Sequence, residues 1–216
     1  MTQKIGIIGS GDVGKALANG FIRFGHNVMI GTNDSAKQAG LLKATDNKAK
    51  VGSFEDTARF GDLIVLSVKG TAAEAAARSA GLDNLSGKTV IDTTNPIADD
   101  PPEKGVLKYF TSPNQSLMEN LQKLAPKAHF VKAFSCVGSA LMVSPNLEGT
   151  KPTMFICGNS DEAKREVSKI LDQFGWEYAD MGTVEAARAI EPLAILWCLP
   201  GFLNNEWMHA FKLLKS

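Results

Sequence analysis

The segment KIGIIGSGDVGKALANGF, residues 4 to 21, restricts the fold of this chain more than any other stretch. An apolar run, Lys4 to Ile8, leads into Gly9, Gly11 and Gly14, and helical periodicity then runs from Val13 to Phe24. Glycine loses more freedom on ordering than any other residue, so a cluster of three answers a steric demand. A buried strand, a tight turn and a helix N-terminus with unpaired N–H groups form such a setting, and it suits an anion. Gly9 is expected to make the turn, Gly11 to let the backbone approach a pyrophosphate, and Gly14 to let helix pack on strand. Ser10, Asp12 and Val13 complete the loop.

The rest of the chain keeps the same rhythm. Strand patterns at 26–31, near Val51, and at 62–68, 87–96, 128–134, 153–158 and 176–180 are separated by helical ones. The helical segments are 33–46, 53–61 with Ser53 as N-cap, 71–82, 117–124 and 161–175. Alternation of this kind predicts an α/β fold, a Rossmann-type doubly wound, mainly parallel sheet with helices on both faces. Residues 97–116, rich in proline and acids, read as an irregular excursion at the edge of a site. From Val184 onward the pattern is one or two helices, broken near Pro200–Gly201. We therefore expect a nucleotide-binding domain over 1–182 and a helical C-terminal element over 183–216.

Composition removes several function classes. Lysine plus arginine equals aspartate plus glutamate at 23 each, and no basic run is present, so neither nucleic acid nor an anionic membrane is an expected partner. Cys136, Cys157 and Cys198 are odd in number and far apart, which fits reduced thiols better than a disulfide framework or a metal site. No secretory pattern opens the chain, and the apolar stretch 192–203 is too short to span a bilayer. A cytoplasmic protein is expected.

Which dinucleotide the loop holds turns on the end of the second strand. A carboxylate there bonds the adenosine ribose and repels a 2′-phosphate. This chain has Gly31, Thr32 and Asn33, then Asp34 and Lys37. A hydroxyl, an amide and an ammonium favour the phosphate of NADP. One residue of register would put Asp34 on the ribose and favour NAD instead.

With these residues in view, the chain resembles the NADPH-dependent coenzyme F420 reductase family and the oxidoreductase domain of the STEAP metalloreductases. The segments that carry the resemblance are IGIIGSGDVGKALA, GHNVMIGTNDSAK, DLIVLSV, VIDTTNP, VKAFSCVG, MFICGNSDEAKREV and ARAIEPLAILW, spread over the whole length. The resemblance implies that Ser10, Thr32, Asn33 and Lys37 surround the 2′-phosphate, although relatives typically have arginine where Asn33 stands. It implies that Ser67, Val68 and Lys69 lie under the nicotinamide-side ribose. Asn95 and Pro96 would form a turn near the nicotinamide, with Ala133 and Ser135 in the floor beneath it. Relatives often carry asparagine and threonine where this chain has Ser135 and Cys136, so the pocket is expected to be altered. The resemblance also implies a homodimer.

Hydride transfer to a flavin or deazaflavin needs little beyond two stacked rings with donor and acceptor carbons about 3–3.5 Å apart. The absence of an evident acid–base pair in the sequence is consistent with that chemistry. His26 reads as a surface or cap residue, and His129 and His209 have no evident partner. Cys136 follows a strand end, where a packing role outweighs a nucleophilic one because no activating base accompanies it. Lys69 reads equally as a phosphate or substrate contact and as a solvated lysine. Asp92 and Asp180 suit caps, and Asp99–Asp100 a solvent-facing run. Trp197, Phe202, Trp207 and Phe211 sit among aliphatic residues near the end, a composition that suits a dimer interface.

The expected function is NADP(H)-dependent hydride exchange with a small-molecule acceptor, coenzyme F420 or flavin. Two other readings stand beside it: an NADP(H)-binding sensor without turnover, and a reductase of a small carbonyl or imine.

Overall fold

Continuous apolar runs make the centre of the sheet, because parallel strands covered on both faces cannot alternate with polar residues. The computed structural model describes residues 2–147 and 149–214. Six strands, β1 (Lys4–Ile8), β2 (Asn27–Gly31), β3 (Lys50–Gly52), β4 (Leu63–Leu66), β5 (Thr89–Asp92) and β6 (His129–Lys132), pair in the order β3-β2-β1-β4-β5-β6. All five pairings are parallel, with Ile8 beside Gly31 on one side and beside Leu66 on the other. The order reverses between β1 and β4, the switch point at which open α/β sheets bind ligands.

The helices are α1 (Asp12–Arg23), α2 (Gln38–Ala44), α3 (Phe54–Phe60), α4 (Ala73–Ala80), α5 (Leu82–Leu85), α6 (Leu117–Leu124), α7 (Asp161–Gln173), α8 (Ala187–Ile190) and α9 (Leu193–Asn204). Strand side chains alternate between two cores. Ile5, Ile7, Leu63 and Val65 meet Leu17 and Phe21 of α1 and Val167 of α7. Ile8, Ile64 and Leu66 meet Ala58 of α3, Ala77 of α4, Leu121 of α6 and Ala187 of α8. Ser53 and Ser116 each close a capping box, with Asp56 and Glu119 as the reciprocal acids.

Three features depart from the sequence expectation. Strands β7 (Thr153–Ile156) and β8 (Glu177–Asp180) form their own two-stranded parallel pair. Among the described residues they meet the main sheet through one antiparallel bridge, Lys132 to Cys157. The helix expected over 33–46 begins as a 3-10 turn, Ser35–Lys37, before α2 takes over at Gln38, because the Asp34 carboxylate caps that turn at Ala36.

The tail is the third departure. Helix α9 runs straight through Pro200 and stops at Asn205, whose φ is 58°. Trp207 folds back over Gly201 so closely that a Cβ there would lie 2.3 Å from the ring. Beyond it, to residue 214, the chain has no regular secondary structure, and the Thr153 N–H donates to the Phe211 carbonyl at 2.8 Å. Residues 184–204 thus form a helical run of 21 residues, by length and composition alone able to cross a membrane, unlike the 192–203 stretch read from sequence. A third of its apolar window is buried inside the domain, and Glu191 within it points into the core.

Candidate functional site

At the switch point the two reversing strands end side by side. The Ser67 N–H donates to the Ile8 carbonyl at 2.8 Å, and Gly9 turns there with φ of 126°. A Cβ on Gly9 would sit 2.4 Å from the Ser67 carbonyl oxygen, and one on Gly14 would sit 2.3 Å from that of Gly9. Both positions therefore exclude a side chain. Gly11 is the N-cap of α1 with no side-chain hydrogen bond, and a Cβ there would meet open space. The first turn of α1 thus presents amide N–H groups and a positive dipole end, suited to a phosphate. Asp12 is exposed and turned onto Lys15 at 2.8 Å, and the bond to that lysine holds its carboxyl below the ordinary range.

The adenosine side is built from the end of β2. Ser10 Oγ donates to Thr32 Oγ1 at 3.3 Å, and the Asp34 N–H donates to the same oxygen at 3.2 Å. Thr32 is buried, whereas Asn33 and Lys37 are exposed. The Asp34 carboxylate is engaged locally: Oδ1 accepts the Ala36 N–H at 3.0 Å and Oδ2 lies 3.9 Å from the Lys37 ammonium.

On the other side of the loop a cleft of about 360 Å³ opens between the ends of β4 and β5. Val13, Ser67, Val68, Lys69 and Asn95, all named from the sequence, line it together with Thr93, Thr94 and Ile97. Lys69 is 84% exposed at the rim, 3.9 Å from Asp99 Oδ1. Pro96, Ala133, Ser135 and Cys136 are buried and do not line the cleft, although Asn95 Nδ2 donates to the Ser135 carbonyl at 2.6 Å. Two buried polar atoms here, Asn95 Oδ1 and Ser135 Oγ, have no hydrogen-bond partner among the described residues. Buried polar atoms are normally paired, so these two are exceptions, as are Asp92 Oδ2 and Thr57 Oγ1. Phe134, between them in the chain, holds a left-handed φ of 60°, a strained conformation for a bulky side chain.

The other titratable groups keep to structural roles. Burial pushes the Cys136 thiol up to about 12, which leaves it protonated and unreactive at neutral pH. His26 accepts the Gln3 N–H, and His209 stacks on Trp197 with ring centroids 5.1 Å apart. His129 is exposed at the start of β6. Asp180 caps Gly182 and binds Lys164 at 2.8 Å.

Asp92 does more than cap a turn. Its Oδ1 accepts from the Thr94 N–H and hydroxyl, while Oδ2 lies 2.6 Å from the ammonium of Lys132. Lys132 is fully buried and also reaches Glu191 Oε1 at 2.9 Å and the Thr94 carbonyl at 2.8 Å. Burial alone would lower its pKa, but the two carboxylates outweigh that and raise it. Sequence reasoning passed over Lys132 and Glu191. Their signal was a lone charge inside an apolar run, in AHFVKAF and in AIEPLAIL, which demands a buried partner.

A glycine loop at the β1/β4 reversal, an uncapped helix end and an adjoining cleft define a Rossmann-type fold with a site suited to a dinucleotide. Residues 4–96 match the family model described as NADP oxidoreductase, coenzyme F420-dependent, and over that span the chain is similar to that family. A solved structure from Arthrobacter sp. FB24, assigned as an F420-dependent NADP reductase, superposes with a TM-score of 0.90 at 27% identity, covering 99% of this chain and 100% of that one. The metalloreductase STEAP3 of Rattus norvegicus is 32% identical over 93% of this chain, and the chain spans 39% of the length of that protein. An NADPH-dependent reductive aminase of Aspergillus oryzae is 24% identical over 100% of this chain and 65% of its own length.

Proposed function

We propose that the chain holds NADP(H) along the line from Thr32 to Ser135 and exchanges hydride with a flat, flavin-like acceptor, coenzyme F420 or a flavin, seated in the cleft. The observation that carries this reading is the cleft itself. It adjoins the glycine loop and is lined by Asn95, whose Oδ1 is unpaired. Among the described residues its lining includes no histidine, cysteine, glutamate or tyrosine, and its two ionisable groups, Lys69 and Asp99, face each other at the rim. A hydride acceptor that needs only placement suits such a cleft.

The cofactor, when bound, supplies the hydride. The chain supplies position. Backbone amides from Gly9 to Val13 hold the pyrophosphate, and Ser10, Thr32, Asn33 and Lys37 hold the 2′-phosphate. Ser67, Val68 and Lys69 support the nearer ribose, and Asn95 with Ser135 offers polar atoms to the nicotinamide end, with Pro96 and Ala133 as apolar backing. NADP is favoured over NAD because the Asp34 carboxylate is already engaged in capping the next turn.

The C-terminal element, taken as 183–216, has a second part in this reading. Helix α9 carries no charged residue, yet only Ala194, Trp197 and Gly201 of it are buried. Leu196, Phe202 and Leu203 remain exposed. An apolar helix so little covered needs a partner surface, and a second copy of the chain in a cytoplasmic homodimer is the occupant we favour.

The test is reduced-nicotinamide consumption against a panel of F420, FMN, FAD and small imines, alongside calorimetry with NADPH. Turnover with F420 or a flavin supports the proposal. Tight binding with no turnover across the panel makes the chain a sensor. Turnover with an imine, lost in Lys69→Ala at unchanged cofactor affinity, makes it a carbonyl or imine reductase of the kind its Aspergillus relative suggests.

A further inference from the structure

We infer that Glu191, reaching from the C-terminal element into the buried Lys132–Asp92 pair, is a positioning residue that sets the Thr94–Asn95 turn at the base of the cleft. The inference rests on the NADP(H) reading and extends it to a part of the chain remote from the glycine loop.

The Lys132 ammonium donates to the Thr94 carbonyl and lies in ion-pair contact with Asp92 Oδ2 and Glu191 Oε1, at 2.6 and 2.9 Å. Glu191 has further partners. Its Oε2 accepts the Leu117 N–H and its Oε1 the Met118 N–H, each at 3.0 Å, so the N-terminus of α6 shares its charge. Thr94 is gripped from both sides, its N–H and hydroxyl on Asp92 and its carbonyl on Lys132. The residue after it, Asn95, carries one of the orphan oxygens and ties the 133–138 loop through Ser135. A second tie reaches the excursion over 97–116, where the Tyr109 hydroxyl donates to the Glu191 carbonyl at 2.6 Å.

Stability alone does not account for this arrangement. Three charges withdrawn from water hold a fold no better than apolar side chains of the same volume. What they add is direction, because the hydrogen bonds that Thr94 makes with Asp92 and Lys132, and those that Glu191 accepts from α6, fix angles as well as distances. Here the fixed object is the turn that lines the cleft, and one of its three anchors comes from the tail.

The test is calorimetry on the full chain with two ligands, NADPH and adenosine 2′,5′-bisphosphate, which carries the 2′-phosphate and lacks the nicotinamide half. Glu191→Gln is expected to weaken NADPH about tenfold and the bisphosphate less than about twofold. A Gln amide at 191 turns an N–H toward either Lys132 or α6, and this variant needs its circular dichroism checked for folding. Tyr109→Phe keeps every charge and severs only the tie to the Glu191 backbone; about a threefold loss on NADPH alone is expected. Equal losses on both ligands, or unchanged NADPH affinity in a folded variant, overturn the inference. A wild-type chain that binds neither ligand overturns the NADP(H) reading itself.

Discussion

At the glycine-loop end of the site, Gly11 and Asp12 lie at the surface, and the loop holds its shape through backbone geometry alone. At the other end Asp92, Lys132 and Glu191 are withdrawn from water and hold theirs through charge. The first arrangement is written in six consecutive residues. The second joins β5, β6, α6 and the tail, which the chain visits far apart. A ligand's phosphates carry their own charge and ask only for open amides, whereas an uncharged ring has to be placed by a rigid floor. The two ends therefore differ in how they respond to mutation, to ligand and to pH.

The largest difference is expected in stability. Lys132→Met leaves two buried carboxylates facing each other without a counter-charge, and should cost about 3–5 kcal/mol of unfolding free energy in a urea titration. A loss below about 1 kcal/mol would mean that the two ends are held alike.

The next effect belongs to the ligand. Lys37 is exposed and paired only loosely with Asp34, so Lys37→Ala should leave the urea midpoint unchanged. NADPH affinity should fall about tenfold, or roughly 1.4 kcal/mol, and NADH affinity less than about twofold. Equal weakening of both, or a wild-type preference for NADH, would put Asp34 in control of the adenosine side.

The smallest effect separates a half-covered pair from both ends. Arg188 forks onto Glu119 with contacts of 2.9 and 2.5 Å, and its hydrogen bonds hold that carboxyl down to about 2 despite burial. A carboxyl depressed in the folded state stabilises fully above its unfolded value, near 4.5, and that contribution is lost as pH falls through about 2. Since Arg188 is exposed, Arg188→Met should lower the urea midpoint at neutral pH far less than Lys132→Met does, and the gap from wild type should narrow steadily below about pH 4. A gap that stays constant to the acid limit would mean that Arg188 acts by packing rather than charge.

Much of the fold was legible because its signals are local. Ser53 with Asp56 marked the start of α3, and the apolar run Leu63 to Leu66 marked the central strand without ambiguity. The glycines of the loop announced a close approach that the Ser67 and Gly9 carbonyls then impose. Other features gave no local sign. Nothing in TMFICG distinguishes a strand of the main sheet from one in a separate pair, because an apolar run fits either and the partner strand lies elsewhere in the chain. Pro200 reads as a helix breaker, yet α9 continues through it to Asn204, and Trp207 lies over Gly201. Asp92 was visible as a cap and invisible as an ion partner, since Lys132 lies 40 positions along and reaches it only through the β5–β6 pairing.

Backbone requirements, then, can be read one residue at a time: a turn that tolerates no Cβ, a cap, an apolar strand and the order in which strands and helices alternate all follow from short-range sterics and periodicity. The pairing of buried charges and the shape of the cleft floor could be settled only when the chain had folded, because Coulomb and hydrogen-bond energies depend on distances that topology sets and sequence separation does not.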